Sequence, residues 1–350
     1  MDRARIRATR LVATLAAACL FAAADTRCIA DDYAEVDFVP RVRAALSRFA
    51  TYGDIAGAGG ASAANNWPGS INPASIEWLD PFGPLGIIVS PQYSSISFSE
   101  GTELDICIGA INIDVGDWGT IQPAVARIRS NRRTARNGLD FRYDMDLFQI
   151  QWAKYQANNW ALGVNFNFAF TEMRYDFGHI QVSKAAFETY GVRVGALAQA
   201  GERLLIGAIL DYAASPSHTV TYWPFSLAEG DLKVTDTTHQ FYLRPGLSYE
   251  YSKGSTAYLD YQYGQFWNDL STLEVHRAYV GIDHRICEWL FLRGGATLDD
   301  RGHVAWTAGV GIHPPGLFKL DVGYQDDMFP ELAPELGHSK VLTVSLGLGF

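Results

Sequence analysis

From about residue 85 to the C-terminus this chain alternates large apolar residues with small or polar ones at period two. Period two puts alternate side chains on opposite faces of a strand, so the pattern dictates sheet. In WALGVNFNFAF, Trp160, Leu162, Val164, Phe166, Phe168 and Phe170 share one face, opposed by Ala161, Gly163, Asn165, Asn167 and Ala169. YGVRVGALA and FYLRPGLSYEY read the same way. The closing VLTVSLGLGF sets Leu342, Val344, Leu346, Leu348 and Phe350 against Thr343, Ser345, Gly347 and Gly349. A soluble β-sandwich also alternates, but its second face carries charge. Here that face is Gly, Ala, Ser, Asn or Thr, in a chain with 19% charged residues, 13% aromatic residues and 33 glycines. Large apolar residues turned to lipid and small ones turned to an occupied lumen describe a transmembrane antiparallel β-barrel.

Alternating segments begin near residues 85, 103, 120, 139, 158, 188, 203, 237, 256, 274, 288, 304, 317 and 340, which predicts about fourteen strands. GDWG, YQANN, AGER, YSKGST, HRICE and HPPG make short connections. SNRRTARNG, the stretch 172–188, the stretch 213–236 and QDDMFPELAPELGHS make long ones. Short turns at one rim and long loops at the other match periplasmic turns and extracellular loops, with Phe350 at the turn rim. Trp267, Trp306 and Tyr324 then fall toward the loop rim, and Tyr249, Tyr251, Trp289 and Phe350 toward the turn rim, as two interfacial aromatic girdles.

The N-terminus reads as an export signal over residues 1–24. MDRARIRATR is basic, LVATLAAACLFAAA is apolar but shorter than the ~20 residues a spanning helix needs, and small residues follow. Cleavage fits after Ala24 or after Ala30. The net charge of −10 becomes more acidic once four arginines and one aspartate leave with the signal, which argues against nucleic acid as a partner. Cys107 and Cys287 have no metal-site spacing. A disulfide between them stays open in an exported chain, although packing is the commoner role.

Residues 25–83, ahead of the barrel at 84–350, do not alternate. PRVRAALSRFATYG is helix-like after Pro40, and the turn-rich stretch behind it carries Trp67, Ile71, Ile76, Trp78 and Leu79, a composition that suits a plug. GAGGASAANNWPGSINPASIEWL resembles the N-terminal hatch of the FadL-type outer-membrane transporters of long-chain fatty acids and hydrocarbons, with Asn72, Pro73 and Ala74 matching the Asn-Pro-Ala motif. Asn65 and Asn66 stand where that family has acidic residues, and Ser75 where it has glycine. The resemblance covers about 25 residues. It implies passive uptake of a hydrophobic small molecule, captured at an outer apolar groove, passed to a lumen pocket and released when the hatch shifts, often sideways through a kink in the wall. Outer-membrane lipids, lipopolysaccharide and the barrel-assembly machinery are the partners it implies. The C-terminal ending resembles the signal that machinery recognises.

Candidate residues follow. In the longest loop, Tyr222, Trp223 and Phe225 are candidates for the capture groove, weighed equally against loop packing or lipopolysaccharide contact. A carboxylate in the lumen needs a cation, and strand parity points Arg142, Arg193 and Arg244 inward. Arg142 shares its face with Asp140, Asp144 and Asp146, near Arg127 and Arg129, which predicts a lumen ion-pair network first and a ligand site second. Pro123 and Pro245 fall within wall strands, where a missing donor implies a bulge or gap, and Pro123 is the candidate wall kink. Gly347 and Gly349 are expected to leave room for the plug. The acidic DDMFPELAPE reads as a solvated loop rather than a cation site. No HExxH, GxSxG or Walker motif is present and the eight histidines are scattered, so no catalytic residue, metal or cofactor is assigned. A non-enzymatic channel is the leading reading. An assembly or secretion partner is the alternative, and a lipid hydrolase the third.

Overall fold

The computed structural model describes residues 33, 36–49, 52–65, 71–78, 86–131, 133–134, 140–157, 159–222, 230–316 and 318–350. The signal segment lies outside them. Among the described residues fourteen wall strands run in chain order. They are β1 (Ile87–Phe98), β2 (Glu103–Asp114), β3 (Thr120–Ser130), β4 (Asp140–Ala157), β5 (Trp160–Phe177), β6 (Ile180–Gly201), β7 (Leu204–Thr221), β8 (Leu232–Ser252), β9 (Ser255–Trp267), β10 (Thr272–Arg285), β11 (Leu290–Asp299), β12 (Val304–Ile312), β13 (Lys319–Asp326) and β14 (Ser339–Gly349). Each pairs antiparallel with its sequence neighbours, and β1 pairs with β14, Ile88 opposite Gly349 and Phe98 opposite Ser339, so the sheet closes. A two-residue segment, Arg133–Thr134, continues the β3 edge against β4. No helix among the described residues is long and apolar enough to cross a membrane.

Two stretches expected to be loops are strand instead. β5 continues to Phe177 and β6 starts at Ile180, joined through Gly178 at φ 61°, and β7 continues to Thr221. In β5 and β6 charge interrupts the apolar alternation, and in β7 Ser215, Pro216, Ser217 and His218 do, without interrupting the ladder. Glu172 pairs with Arg174 on its own strand and with Lys184 across it at 2.7 Å. Strands β4 to β8 are therefore 18 to 22 residues long, whereas β11 to β14 on the other side are only 8 to 11.

Phe148, Ile150, Phe166, Leu210, Leu243, Leu259, Leu292, Trp306 and Leu342 stand exposed on the outer face. A belt of that size cannot rest against water and is the lipid-facing surface of a barrel. Of the expected girdle residues, Trp306 packs on Tyr324, Tyr251 on His284, and Tyr249, Trp289 and Phe350 are exposed.

On the long strands this polarity inverts partway along. In β4, Phe148, Ile150 and Trp152 point out while Gln149 and Gln151 face the interior; toward the loop rim Arg142, Asp144 and Asp146 point out while Phe141, Tyr143 and Met145 are buried. The apolar belt ends there, and a helix of the N-terminal segment fills the interior at the same height, with its Phe38 against Phe141.

That helix belongs to the N-terminal segment, which packs inside the barrel as α1 (Phe38–Arg48), α2 (Gly53–Gly57) and a 3₁₀ turn (Pro73–Trp78). Small residues let it approach the wall: a Cβ on Gly57 would lie 2.8 Å from Gly309, and one on Gly53 would lie 2.5 Å from the Asp321 carbonyl. On β14 the Oγ of Ser345 accepts from the Gly53 amide at 3.1 Å, on the same strand as the Gly347 and Gly349 expected to leave room for the plug. Cys107 and Cys287 are both free; Cys107 is exposed on the outer wall.

Candidate functional site

The interior segment is bonded heavily to one side of the barrel. Asp260 on β9 accepts from the backbone amides of Ser62 and Ala63 at 2.7 and 2.8 Å and from Arg244 Nε at 3.0 Å. Arg244 also donates to the Gly60 carbonyl and lies over the Tyr279 ring. Thr307 Oγ1 accepts from the Gly59 amide and donates to the Gly57 carbonyl. Near the loop rim Arg48 of α1 and Arg277 of β10 share Glu331, at 2.7 and 2.5 Å. Arg41 pairs with Glu335. Glu331 is fully buried. The acidic loop is thus not a solvated face: Phe329, Leu332 and Leu336 fold down onto α1, because two buried arginines demand a carboxylate there.

The Asn-Pro-Ala motif anchors the other end. Buried Asn72 donates from Nδ2 to the carbonyls of Ala63 (2.6 Å) and Ala196 (2.9 Å), and its Oδ1 accepts from the Ala74 amide at 3.0 Å. One side chain closes the turn and ties it to the wall. Pro73 follows in a bend that Gly163 and Gly195 leave open, since a Cβ at either would strike Asn72, Pro73 or Ala74. Ser75, the departure from the family pattern, donates to the Asn72 carbonyl at 2.7 Å.

Between these anchors, on the side of β1 to β8, the interior is open. A chamber of about 210 Å³ lies between α1 and the wall, lined by Gln92, Gln122, Gln149, Gln151, Asn167 and Gln240 among apolar Ile106, Ile108, Ala126 and Leu147. Toward the loop rim it adjoins a smaller, wholly apolar pocket of about 40 Å³ between α1 and the folded loop; Leu46, Ile106 and Ile128 line both. Toward the turn rim lies a polar recess of about 260 Å³ lined by Glu77, Asn112 and Asp114. Gln122 Nε2 donates to Asn112 Oδ1 at 2.6 Å, so this pair joins a chamber residue to a recess residue.

Of the sequence candidates, the structure turns Arg193 and Arg244 inward and pairs each with one aspartate, Asp211 at 2.7 Å and Asp260 at 3.0 Å. Arg142 points outward, contrary to expectation. It pairs with Asp144 on the outer wall, beside Arg127–Asp146, because the faces exchange polarity above the apolar belt. The expected lumen network is therefore an external collar. Tyr222 is half-buried and donates its amide to the Val182 carbonyl, while Trp223 and Phe225 lie outside the described residues. Pro123 faces outward in β3, where pairing with β2 lapses between Ala110–Ala124 and Ile113–Ile121. Pro245 coincides with a similar lapse between β8 and β9. Beside the Pro123 lapse, Ile108, Val125, Ala126 and Leu147 line both the chamber and a shallow outer depression bounded by Cys107, Gly109 and Phe148.

Sequence reasoning missed Arg43 and Gln92. Arg43 of α1 lines the chamber and donates to Thr189 Oγ1 of β6. Burial pushes its guanidinium down from the ordinary value, against weaker opposing effects of Tyr143 and Asp211. Gln92 is 6% exposed, and neither of its amide atoms has a hydrogen-bond partner among the described residues. The signal for Arg43 was present in PRVRAALSRF: on a helix, Arg41 and Arg48 fall on one face and Arg43 on another.

No protein-family profile matches the chain, and no curated protein sequence does. Solved structures do. The chain is similar to the CymD monoaromatic hydrocarbon channel, at 12% identity over 86% of this chain and 97% of that one, with TM-score 0.58. It is similar to the Ralstonia pickettii toluene transporter TbuX, at 11% identity over 87% and 100%, TM-score 0.59. It is also similar to a Pseudomonas aeruginosa FadL homologue, at 12% identity over 86% and 98%, TM-score 0.59. The fold is that of FadL-type transporters.

Proposed function

We propose that this protein is an outer-membrane channel for passive uptake of hydrophobic small molecules, long-chain fatty acids or hydrocarbons. The observation that carries the reading is the apolar loop-rim pocket joined to an interior chamber beside a lumen-filling segment. Structures of the same fold include a monoaromatic hydrocarbon channel and a toluene transporter. The N-terminal segment acts as the plug, hinged on the Asn72–Pro73–Ala74 anchor. Ligand reaches the apolar pocket past the Tyr222 loop, with Trp223 and Phe225 as its capture surface. It leaves either through the Gln122–Asn112 constriction or sideways beside Pro123, where wall pairing lapses. The external Arg127, Arg142 and Asp146 collar stands at the height of lipid headgroups and meets lipopolysaccharide there. Export by the signal segment and insertion by the barrel-assembly machinery complete the reading.

Uptake of labelled oleate and of toluene by cells with and without the protein tests it. Uptake that falls on deletion, and again with Ala126→Trp in the chamber, is the expected result. Unchanged uptake overturns the proposal, and a stable co-purifying protein partner alongside it favours an assembly role instead.

A further inference from the structure

Asp54, in α2 of the interior segment, is only 3% exposed yet forms no ion pair among the described residues. Its hydrogen bond is local, Oδ1 accepting from the Ile55 amide at 2.8 Å. The wall beside it is already acidic. Arg293 of β11 divides between Asp283 of β10, at 3.2 Å, and Asp321 of β13, at 2.6 Å. His313, just past β12, also goes to Asp321, at 2.8 Å. The guanidinium that acts on Asp54 is thus held by two other aspartates. Lys319 shares the inward face of β13 with Asp321, Tyr52 precedes Asp54 on its own segment, and β14 contributes the Ser345 hydroxyl.

The contact leaves Asp54 little freedom. α2 lies on β12 and β13 backbone against backbone: a Cβ on Gly323 would be 2.5 Å from the Gly53 carbonyl, and one on Gly309 would be 2.8 Å from the Gly57 Cα. Asp54 cannot turn to water unless α2 leaves the wall. An ionised carboxylate is expensive in such a place, and two like charges beside it add to the cost, whereas a protonated carboxyl is neutral and can donate a hydrogen bond. Burial first and Asp321 second push the Asp54 carboxyl up to about 7, against the pull of Arg293 and of the Ile55 amide, with Asp283 adding to the rise.

We infer that Asp54 is a proton-binding site that latches the interior segment, protonated while α2 is seated on β12 and β13 and ionised when α2 leaves them. This goes beyond the uptake reading and rests on it only in treating the segment as a movable plug. Seating takes up a proton that a hydrated aspartate, with an ordinary value of about 3.9, gives up. The seated plug is therefore most stable below about pH 4. Its hold weakens by up to about tenfold per pH unit above that, and levels off beyond about 7. A rise in pH, not a fall, releases this end of the plug.

Hydrogen exchange of the full refolded chain in a non-ionic detergent tests this, read as the protection of residues 53–60 after correction for the intrinsic pH dependence of exchange. Between about pH 5 and about pH 7 that protection is expected to fall about tenfold or more, while protection of the β13 amides holds. Asp54→Asn keeps the shape of the protonated carboxyl and cannot ionise, so its protection is expected to stay constant over the same range. Carbon-13 NMR of the wild type, labelled at its aspartate carboxyls, needs no variant to fold: a resonance titrating near 7 is expected. Constant protection in the wild type, an equal fall in Asp54→Asn, or aspartates that have all ionised by about pH 5 overturns the latch. No readout uses a ligand, so that result leaves the uptake reading to its own test.

Discussion

The two sides of the lumen treat the same inserted segment in opposite ways. Against β9 to β14 the segment is cemented: glycine backbones meet backbone, Asp260 accepts two of its amides, and Glu331 joins its helix to β10. Against β1 to β8 the bonds gather around the turn that follows the helices, Asn72 on the Ala196 carbonyl, Gln151 and Arg193 on the Pro73 and Ile71 carbonyls and Arg244 on Gly60. Beside α1, where Arg43 bonds Thr189, a chamber opens. A plug bonded equally all round would have no direction in which to give. The asymmetry makes one wall a support and the other a passage, and substitutions on the two sides should have different signatures.

The largest effect is expected at Glu331 on the support side. Glu331→Ala leaves Arg48 and Arg277 buried with one less carboxylate between them, a loss of about 3–5 kcal/mol by analogy with broken buried pairs. Denaturant unfolding of the detergent-solubilised barrel measures it. A loss below about 1 kcal/mol would mean that water already enters this network.

Next comes the backbone approach on the same side. A side chain at Gly281 would be driven into the Ala58 carbonyl, so Gly281→Leu should strain or displace the plug, at a cost of about 1–3 kcal/mol if the wall stays intact. Planar-bilayer recording should then show ionic conductance that the wild type lacks. A closed barrel of unchanged stability would show that the wall, not the plug, yields.

On the passage side the effect is kinetic. Gln122→Ala removes the bond to Asn112 that joins chamber to recess. If that bond gates release, uptake should quicken about two- to tenfold, the equivalent of one net hydrogen bond, with a stability loss of about 1 kcal/mol, well below the Glu331 effect. Slower uptake would place the exit elsewhere, with the wall beside Pro123 as the next test.

Much of this contrast could be read in the sequence, and the part that could not has a physical reason. Strand count and the membrane-embedded faces follow from period two, because lipid forces every outward residue to be apolar. Asn72 was legible only through the resemblance of Asn72-Pro73-Ala74 to the hatch motif; its bond to the Ala196 carbonyl, 124 residues away, was not. Arg142 was misread because the rule of apolar outside holds only where lipid is outside. Above the belt, Phe141 packs on Phe38 of α1 at 6.0 Å, and Arg142 takes the wet face. Arg43 was missed for a related reason. Its place in the chamber wall and its bond to Thr189, 146 residues away, are properties of three-dimensional neighbours.

The smallest expected effect concerns pH, at the end of the support. Asp327 follows β13 and faces His303 Nε2 at 2.9 Å and His338 Nδ1 at 3.1 Å. Burial opposes its ionisation, but the two histidines outweigh burial and hold the carboxyl below its usual range. A lowered folded value stabilises the native state above the unfolded value of about 3.9, and that contribution is lost as pH falls through the lowered folded value. Acid should therefore loosen the loop that carries Glu331. Asp327 also has φ 55°, which asparagine tolerates nearly as well, so Asp327→Asn removes the charge and keeps the backbone. The variant should melt slightly lower than the wild type at neutral pH and should lose this acid-dependent step. An acid response identical to wild type would move the pH sensitivity off this loop and onto the buried carboxylates of the wall.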